Sequence, residues 1–136
     1  MLVMFVDQKN TGLSREAALI LNQMSIKAGV EIDVDSAGTD VGYVDIYEYQ
    51  ITAKEKARVA AKQFSIAMGR NSDKIYIFDY TTMNLLRKRY KVAKKKITVI
   101  KIINEHTRKQ MNQSEIEQSI KEAMEPLIEE LRHVET

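Results

Sequence analysis

The first place in this chain where residue types and spacing could do chemistry is the segment Asp7 to Ser14, DQKNTGLS, directly after an apolar run. A buried strand, a polar loop with a glycine, and a serine able to open a helix would aim backbone N–H groups at an anion of phosphate size. Asp7, Gln8, Lys9, Asn10, Thr11, Gly12, Leu13 and Ser14 are therefore candidate ligand-binding residues. A second chemistry needs two carboxylates. Asp7 and Asp79 are expected at the carboxyl ends of neighbouring strands, where they could share a magnesium ion, with either one accepting a phosphoryl group. No further motif of such an enzyme is present, and the other reading is that Asp7 caps the N–H groups of its own loop. The chain has no cysteine, which excludes a disulfide scaffold, a thiolate metal site and a cysteine nucleophile. His106 and His133 have no partner at metal-ligand spacing and are expected to face solvent, so no metal or other cofactor is expected.

Charge is unevenly distributed. Residues 1–79 carry 9 Lys/Arg against 11 Asp/Glu, residues 80–112 carry 10 against 1, and residues 113–136 carry 2 against 7, for nets of −2, +9 and −5. Arg87, Lys88, Arg89, Lys91, Lys94, Lys95 and Lys96 concentrate the positive charge. They read either as the solvated face of a helix or as a site for an anionic partner, within a basic segment running from Arg87 to Lys101. A nucleic-acid site would need stacking aromatics there, and after Lys88 only Tyr90 qualifies.

The elements that must position these residues follow from hydrophobic periodicity. Leu2–Val6, Val30–Val34, Lys74–Phe78 and Ile97–Ile103 are apolar runs rich in β-branched residues, and they alternate with helical patterns. This predicts a three-layer α/β domain over residues 1–136, with a four-stranded parallel sheet in the order 2-1-3-4 and helices on both faces. Ser14 is the expected N-cap of the first helix, which places Ala17, Leu21, Met24 and Ala28 on one stripe and stops at Gly29. Thr52 and Glu55 form a capping box for a second helix using Ala53, Ala57, Ala60, Phe64 and Ala67 before Gly69. A third opens near Thr82, uses Met83, Leu86, Tyr90 and Ala93, and ends on Lys94–Lys96. A fourth, capped by Ser114 with Glu117, carries Ile116, Ile120, Ala123, Leu127 and Leu131 and should kink or restart at Pro126. The seven methionines are expected as core filler. No run approaches the roughly 20 apolar residues of a membrane span, and the amino terminus lacks the pattern of a signal peptide. A cytoplasmic protein without membrane partners is the expectation.

The loop, taken with EIDVDSAGTD, resembles the start of the low-molecular-weight protein tyrosine phosphatases and their arsenate reductase relatives. That family's first loop reads Cys-x-Gly-Asn-x-Cys-Arg-Ser, and its second strand ends in Asp-Ser-Ala-Gly-Thr. Asn10 and Ser14 match the loop's asparagine and serine, and Asp35-Ser36-Ala37-Gly38-Thr39 matches the second motif in full. KIYIFDYTTMNLL resembles the family's third strand and following helix through Asn84 and Leu85. About one helix of the family pattern is missing between Thr39 and Ser72. The resemblance implies the family's fold and adds Ser36, Tyr43 and Tyr80 to the candidate cleft. Tyr43, Tyr47 and Tyr49 would supply its aromatic wall, although a buried or edge strand gives the same pattern.

The departures fall on the chemistry. Asp7 stands at the position of the nucleophilic cysteine, Leu13 at that of the phosphate-binding arginine, and Lys9 and Gly12 at those of the loop glycine and second cysteine. The region of the family's Asp-Pro general acid reads Asn104-Glu105-His106. Loss of a nucleophile alone removes on the order of a millionfold of rate. A phosphate dianion about 4 Å from an ionised Asp7 is repelled by roughly 8 kcal/mol at an effective dielectric of about 20. The helix N-terminus returns at most about 2 kcal/mol. Lys9 or Arg15 could restore a positive charge by folding over the loop, without replacing the bidentate fork of an arginine at position 13. The expectation is a phosphatase-like protein that has lost the chemistry and serves by binding a protein partner through tyrosine- or phospho-dependent recognition. Its rivals are a metal-assisted phosphatase or phosphotransferase and a polyanion binder.

Overall fold

The computed structural model describes residues 1–10, 12–42, 61–101 and 112–134. Its centre is a parallel sheet of β1 (Leu2–Asp7), β2 (Asp33–Gly38), β3 (Lys74–Ile77) and β4 (Ile97–Val99) in the order β2-β1-β3-β4. The register pairs Asp7 with Gly38 and Phe5 with both Ser36 and Tyr76. Helices α1 (Leu13–Ala28), α2 (Ile66–Asn71), α3 (Tyr80–Lys88) and α4 (Gln113–Val134) complete the described elements.

Alternation along β1 builds two cores, because successive side chains of a strand point to opposite faces. Val3 and Phe5, with Tyr76 of β3, pack against α1 and α4 through Leu21, Ile120, Met124 and Leu131. Met4 and Val6, with Ile75 and Ile77, pack on the other face against Phe64, Leu86 and Val92. Helices thus cover both faces, as the unbroken apolar strands require.

Several boundaries differ from the sequence reading. The second strand is Asp33–Gly38, not Val30–Val34. Gly29 at φ 69° closes α1 with a left-handed turn in which the Val30 N–H reaches the Ser25 carbonyl at 2.9 Å, so Val30 seals the helix end and pairing starts later. Ser14 is not the N-cap of α1; Gly12 is, and Ser14 lies buried inside the first turn. Phe64 and Ala67 do not share a helix. Residues 61–65 are not helical, Gln63 bridging to Gly38, and α2 starts at Ile66, with Ser65 Oγ accepting the Met68 N–H at 3.2 Å. Gly69 lies inside α2 rather than ending it, and serves there by close approach, since a Cβ would press on Val92. Thr52 and Glu55 lie outside the described residues. Helix α3 starts earlier than Thr82, on the cap Asp79, and ends at Lys88; Tyr90 and Ala93 lie beyond it, and Lys94–Lys96 form a separate 3₁₀ turn. Strand β4 ends at Val99, so Ile100 and Lys101 of the expected Ile97–Ile103 strand lie beyond it, and Ile102 and Ile103 lie outside the described residues. The cap of α4 is Asn112, not Ser114: its Oδ1 accepts the Glu115 N–H at 2.9 Å while its Nδ2 donates to Glu115 Oε1 at 2.8 Å, a reciprocal box. Helix α4 does not restart at Pro126 but runs through it, with the proline on its exposed side. No described helix is long and apolar enough to cross a membrane.

Candidate functional site

The carboxyl end of β1 delivers Asp7 to the floor of the loop that leads into α1. The carboxylate turns back on the loop: Oδ1 accepts the Asn10 N–H at 2.6 Å and Oδ2 accepts the Ser14 N–H at 3.1 Å. Both oxygens therefore bond to backbone amides, one of them in the first turn of α1, where a negative charge is favoured by the helix dipole. An N-terminus that lacks a capping side chain on Gly12 is served from strand β1 instead.

Asn10 is the hub of the loop. It is 2% exposed and sits at φ 57°, a left-handed conformation that asparagine tolerates better than most residues. Its Nδ2 donates to Ser14 Oγ at 3.0 Å and to Ser36 Oγ at 2.9 Å, and its Oδ1 accepts the Lys62 N–H at 2.9 Å. The loop, α1, β2 and the segment before α2 are thereby tied through one side chain. Gly38 closes the back of the loop. A Cβ on it would lie 2.8 Å from the Gln8 carbonyl oxygen and 2.9 Å from the Asn10 nitrogen, so only glycine allows this approach. The Thr39 N–H donates to the Asp7 carbonyl and the Asp40 N–H to the Gln8 carbonyl, which carries the pairing past the strand end.

The structure brings together Asp7, Asn10, Ser14 and Ser36, with Gln8 half-buried alongside. Gly12 is exposed, and Leu13, at the position of the family's arginine, packs on the core instead of facing an anion. Lys9 is exposed and acts electrostatically on Asp40. Arg15, with Gly12 and Ser36, borders a groove of about 480 Å³ between α1 and the edge of β2. Thr11, Tyr43 and the Asn104–His106 stretch lie outside the described residues. Tyr80, 66% exposed, begins α3 and is not among the partners of the loop. Asp79 is held as the cap of α3, its Oδ1 accepting the Thr82 N–H at 2.7 Å. Asp7 and Asp79 thus each serve a helix start, and no group of three or more potential metal ligands occurs among the described residues. His133 is exposed on α4.

Residues that the sequence did not single out complete the site. Lys62 binds Asp35 through both carboxylate oxygens at 2.7 and 2.8 Å while its backbone pairs with Asn10 and Gly38. Gln63 donates to the Thr39 carbonyl and to the Tyr90 hydroxyl, and Tyr90 donates to the same carbonyl at 2.9 Å. Nothing local marks Lys62 or Gln63, because their partners are more than twenty residues away. Gly38 did carry a signal, as the glycine of the DSAGT motif. At the rim, Arg89 Nη1 donates to Asp40 Oδ1 at 2.8 Å. This guanidinium, then the Thr39 hydroxyl, hold the Asp40 carboxyl below its ordinary range against a small opposing effect of burial.

No protein-family model and no curated protein matches the sequence. Solved structures do match. YfkJ from Bacillus subtilis is 21% identical, with a TM-score of 0.76, over 100% of this chain and 97% of its own. A low-molecular-weight protein tyrosine phosphatase from T. tengcongensis is 20% identical, with a TM-score of 0.68, over 96% of this chain and 97% of its own. The tyrosine phosphatase Wzb from Escherichia coli K30, in complex with phosphate, is 15% identical, with a TM-score of 0.68, over 96% of this chain and 97% of its own. With the sheet order and the loop between β1 and α1, these likenesses establish that the chain has the fold of the low-molecular-weight protein tyrosine phosphatases, in a sequence without cysteine and with an aspartate in its first loop.

Proposed function

We propose that this protein is a pseudophosphatase: it keeps the phosphatase fold, has given up phosphate-ester chemistry, and acts as a regulatory or scaffolding partner in the cytoplasm. The observation that carries this reading is the Asp7 carboxylate, seated on the N–H groups of Asn10 and Ser14. Wzb is a tyrosine phosphatase of this fold solved in complex with phosphate; here a carboxylate built into the chain satisfies amides of the loop between β1 and α1. The charge balance supports the same reading, because Leu13 brings no cation to offset Asp7 and a dianion approaching that carboxylate meets repulsion several times larger than a helix N-terminus returns.

The enzymatic alternatives have less support. Both oxygens of Asp7 are already acceptors of loop amides, which draws electron density from a would-be nucleophile, and Asp79 is oriented by its bond at the start of α3. The test is turnover of p-nitrophenyl phosphate with and without magnesium. The proposal expects buffer background in both; turnover above background that disappears in Asp7→Ala would overturn it.

A further inference from the structure

The basic segment builds a cleft on the opposite side of the sheet from the acidic helix. Residues 80–101 contain eight Lys/Arg and no Asp/Glu. Two of the eight are spent internally: Arg89 pairs with Asp40, and Lys96 Nζ donates to the Gly69 and Arg70 carbonyls at 3.1 and 3.2 Å. The other six, Arg87, Lys88, Lys91, Lys94, Lys95 and Lys101, are all exposed, with no carboxylate bonded to them among the described residues. Helix α4, which carries Glu122, Glu125 and Glu129, packs on the other face of the sheet and does not neutralise them.

Local structure makes this cluster a cleft rather than a fringe. After α3 the chain reverses at Lys91, held at φ 58°, and the Val92 N–H returns to the Leu86 carbonyl at 3.0 Å. Buried Val92 then anchors the turn beside α2, which sets Lys94 across from the last turn of α3. The result is a cleft of about 340 Å³ whose lining offers the Arg87, Lys88 and Lys94 cations over Val92 and Ala93.

We propose that this cleft binds an acidic segment of a partner protein, with its carboxylates on Arg87, Lys88 and Lys94 and an apolar side chain against the exposed Ala93. The proposal rests on the binding role argued above and names the surface and the chemistry of the partner. Arginine pairs with a carboxylate through two parallel hydrogen bonds, and the unpaired cations supply the complementary charge. A single-stranded nucleic acid fits less well because it needs stacking faces. Tyr90, the only aromatic residue of 81–101, is packed edge-on against Phe64 at 5.0 Å with its hydroxyl on the Thr39 carbonyl.

The test is fluorescence anisotropy of the full chain with a short labelled peptide of alternating Glu and Leu, the same peptide with Gln for Glu, and an oligothymidine of equal charge. The Glu peptide is expected to bind more tightly than the other two and to weaken as salt rises. Arg87→Glu, Lys88→Glu and Lys94→Glu together should weaken it about tenfold or more, with an unchanged melting curve showing that the variant is folded. Lys27→Glu, in α1 on the other face of the sheet, should leave binding unchanged. No saturable binding of the Glu peptide, undiminished binding by the triple variant, or tighter binding of oligothymidine overturns the proposal. Phosphatase turnover by the chain would instead overturn the functional reading while leaving the peptide result as measured.

Discussion

Asp7 and Ser14 are joined across the loop between β1 and α1, the Asp7 Oδ2 accepting the Ser14 N–H at 3.1 Å while its Oδ1 accepts the Asn10 N–H at 2.6 Å. A single carboxylate therefore ties the middle of the loop to the first turn of α1, and the neighbouring residues are arranged around that closure. The loop's organisation is internal to the protein, which gives its parts separable effects on stability.

Asn10→Ala should be among the more damaging substitutions. It removes the hydrogen bonds to Ser14, Ser36 and Lys62 and leaves an ordinary residue at φ 57°. A loss of about 2–3 kcal/mol is expected in urea unfolding. Asn10→Gly removes the same bonds but relaxes the backbone, and should cost about 1 kcal/mol less. Equal losses would contradict the left-handed conformation at this position.

Gly38→Ala places a methyl group 2.8–2.9 Å from the backbone of Gln8, Lys9 and Asn10, which cannot yield as a flexible side chain would. The expected cost is about 2–3 kcal/mol, with the largest amide chemical-shift changes at Lys9 and Asn10. A variant as stable as the parent, with those amides unmoved, would show that the loop does not lie against β2.

The Asp40 to Arg89 pair has a defined pH signature. Because Arg89 lowers the folded-state pKa of Asp40, the pair's contribution is fully present above the ordinary carboxylate range and is lost as pH falls through the lowered value. Both side chains are about half exposed, so the effect on stability should be slight and screened by salt. A carboxyl-carbon NMR titration is expected to put the Asp40 midpoint below the ordinary aspartate range, and Arg89→Ala should move it up. No upward movement in the variant would remove Arg89 as the cause.

What the sequence disclosed and what it hid divide along physical lines. The strand order was legible because apolar runs separated by helical patterns admit few parallel topologies. The role of Asp7 as a cap of its own loop was also legible, as one of two readings, since a carboxylate between a strand and a helix start has amides within reach. The displacement of β2 was not. Val30 and Ile32 look more strand-like than Ser36, Ala37 and Gly38, yet the small residues pair because they must lie beside the loop. Phe64 and Ala67 fit a helical stripe by spacing alone, while Phe64 is in fact held by the pairing of its N–H with Gly38. Lys62 was invisible because its role depends on Asn10, 52 residues earlier in the chain.

The measurement that bears most directly on the account is the melting temperature of Asp7→Ala with and without inorganic phosphate. Removing two charge-assisted hydrogen bonds should cost about 2–3 kcal/mol, a fall on the order of 10 °C. Phosphate should restore part of that loss in the variant and leave the parent unmoved, because only the variant has amides vacated by a carboxylate. A variant that melts with the parent, or a parent stabilised by phosphate as strongly as the variant, would contradict the claim that Asp7 is the loop's own anion.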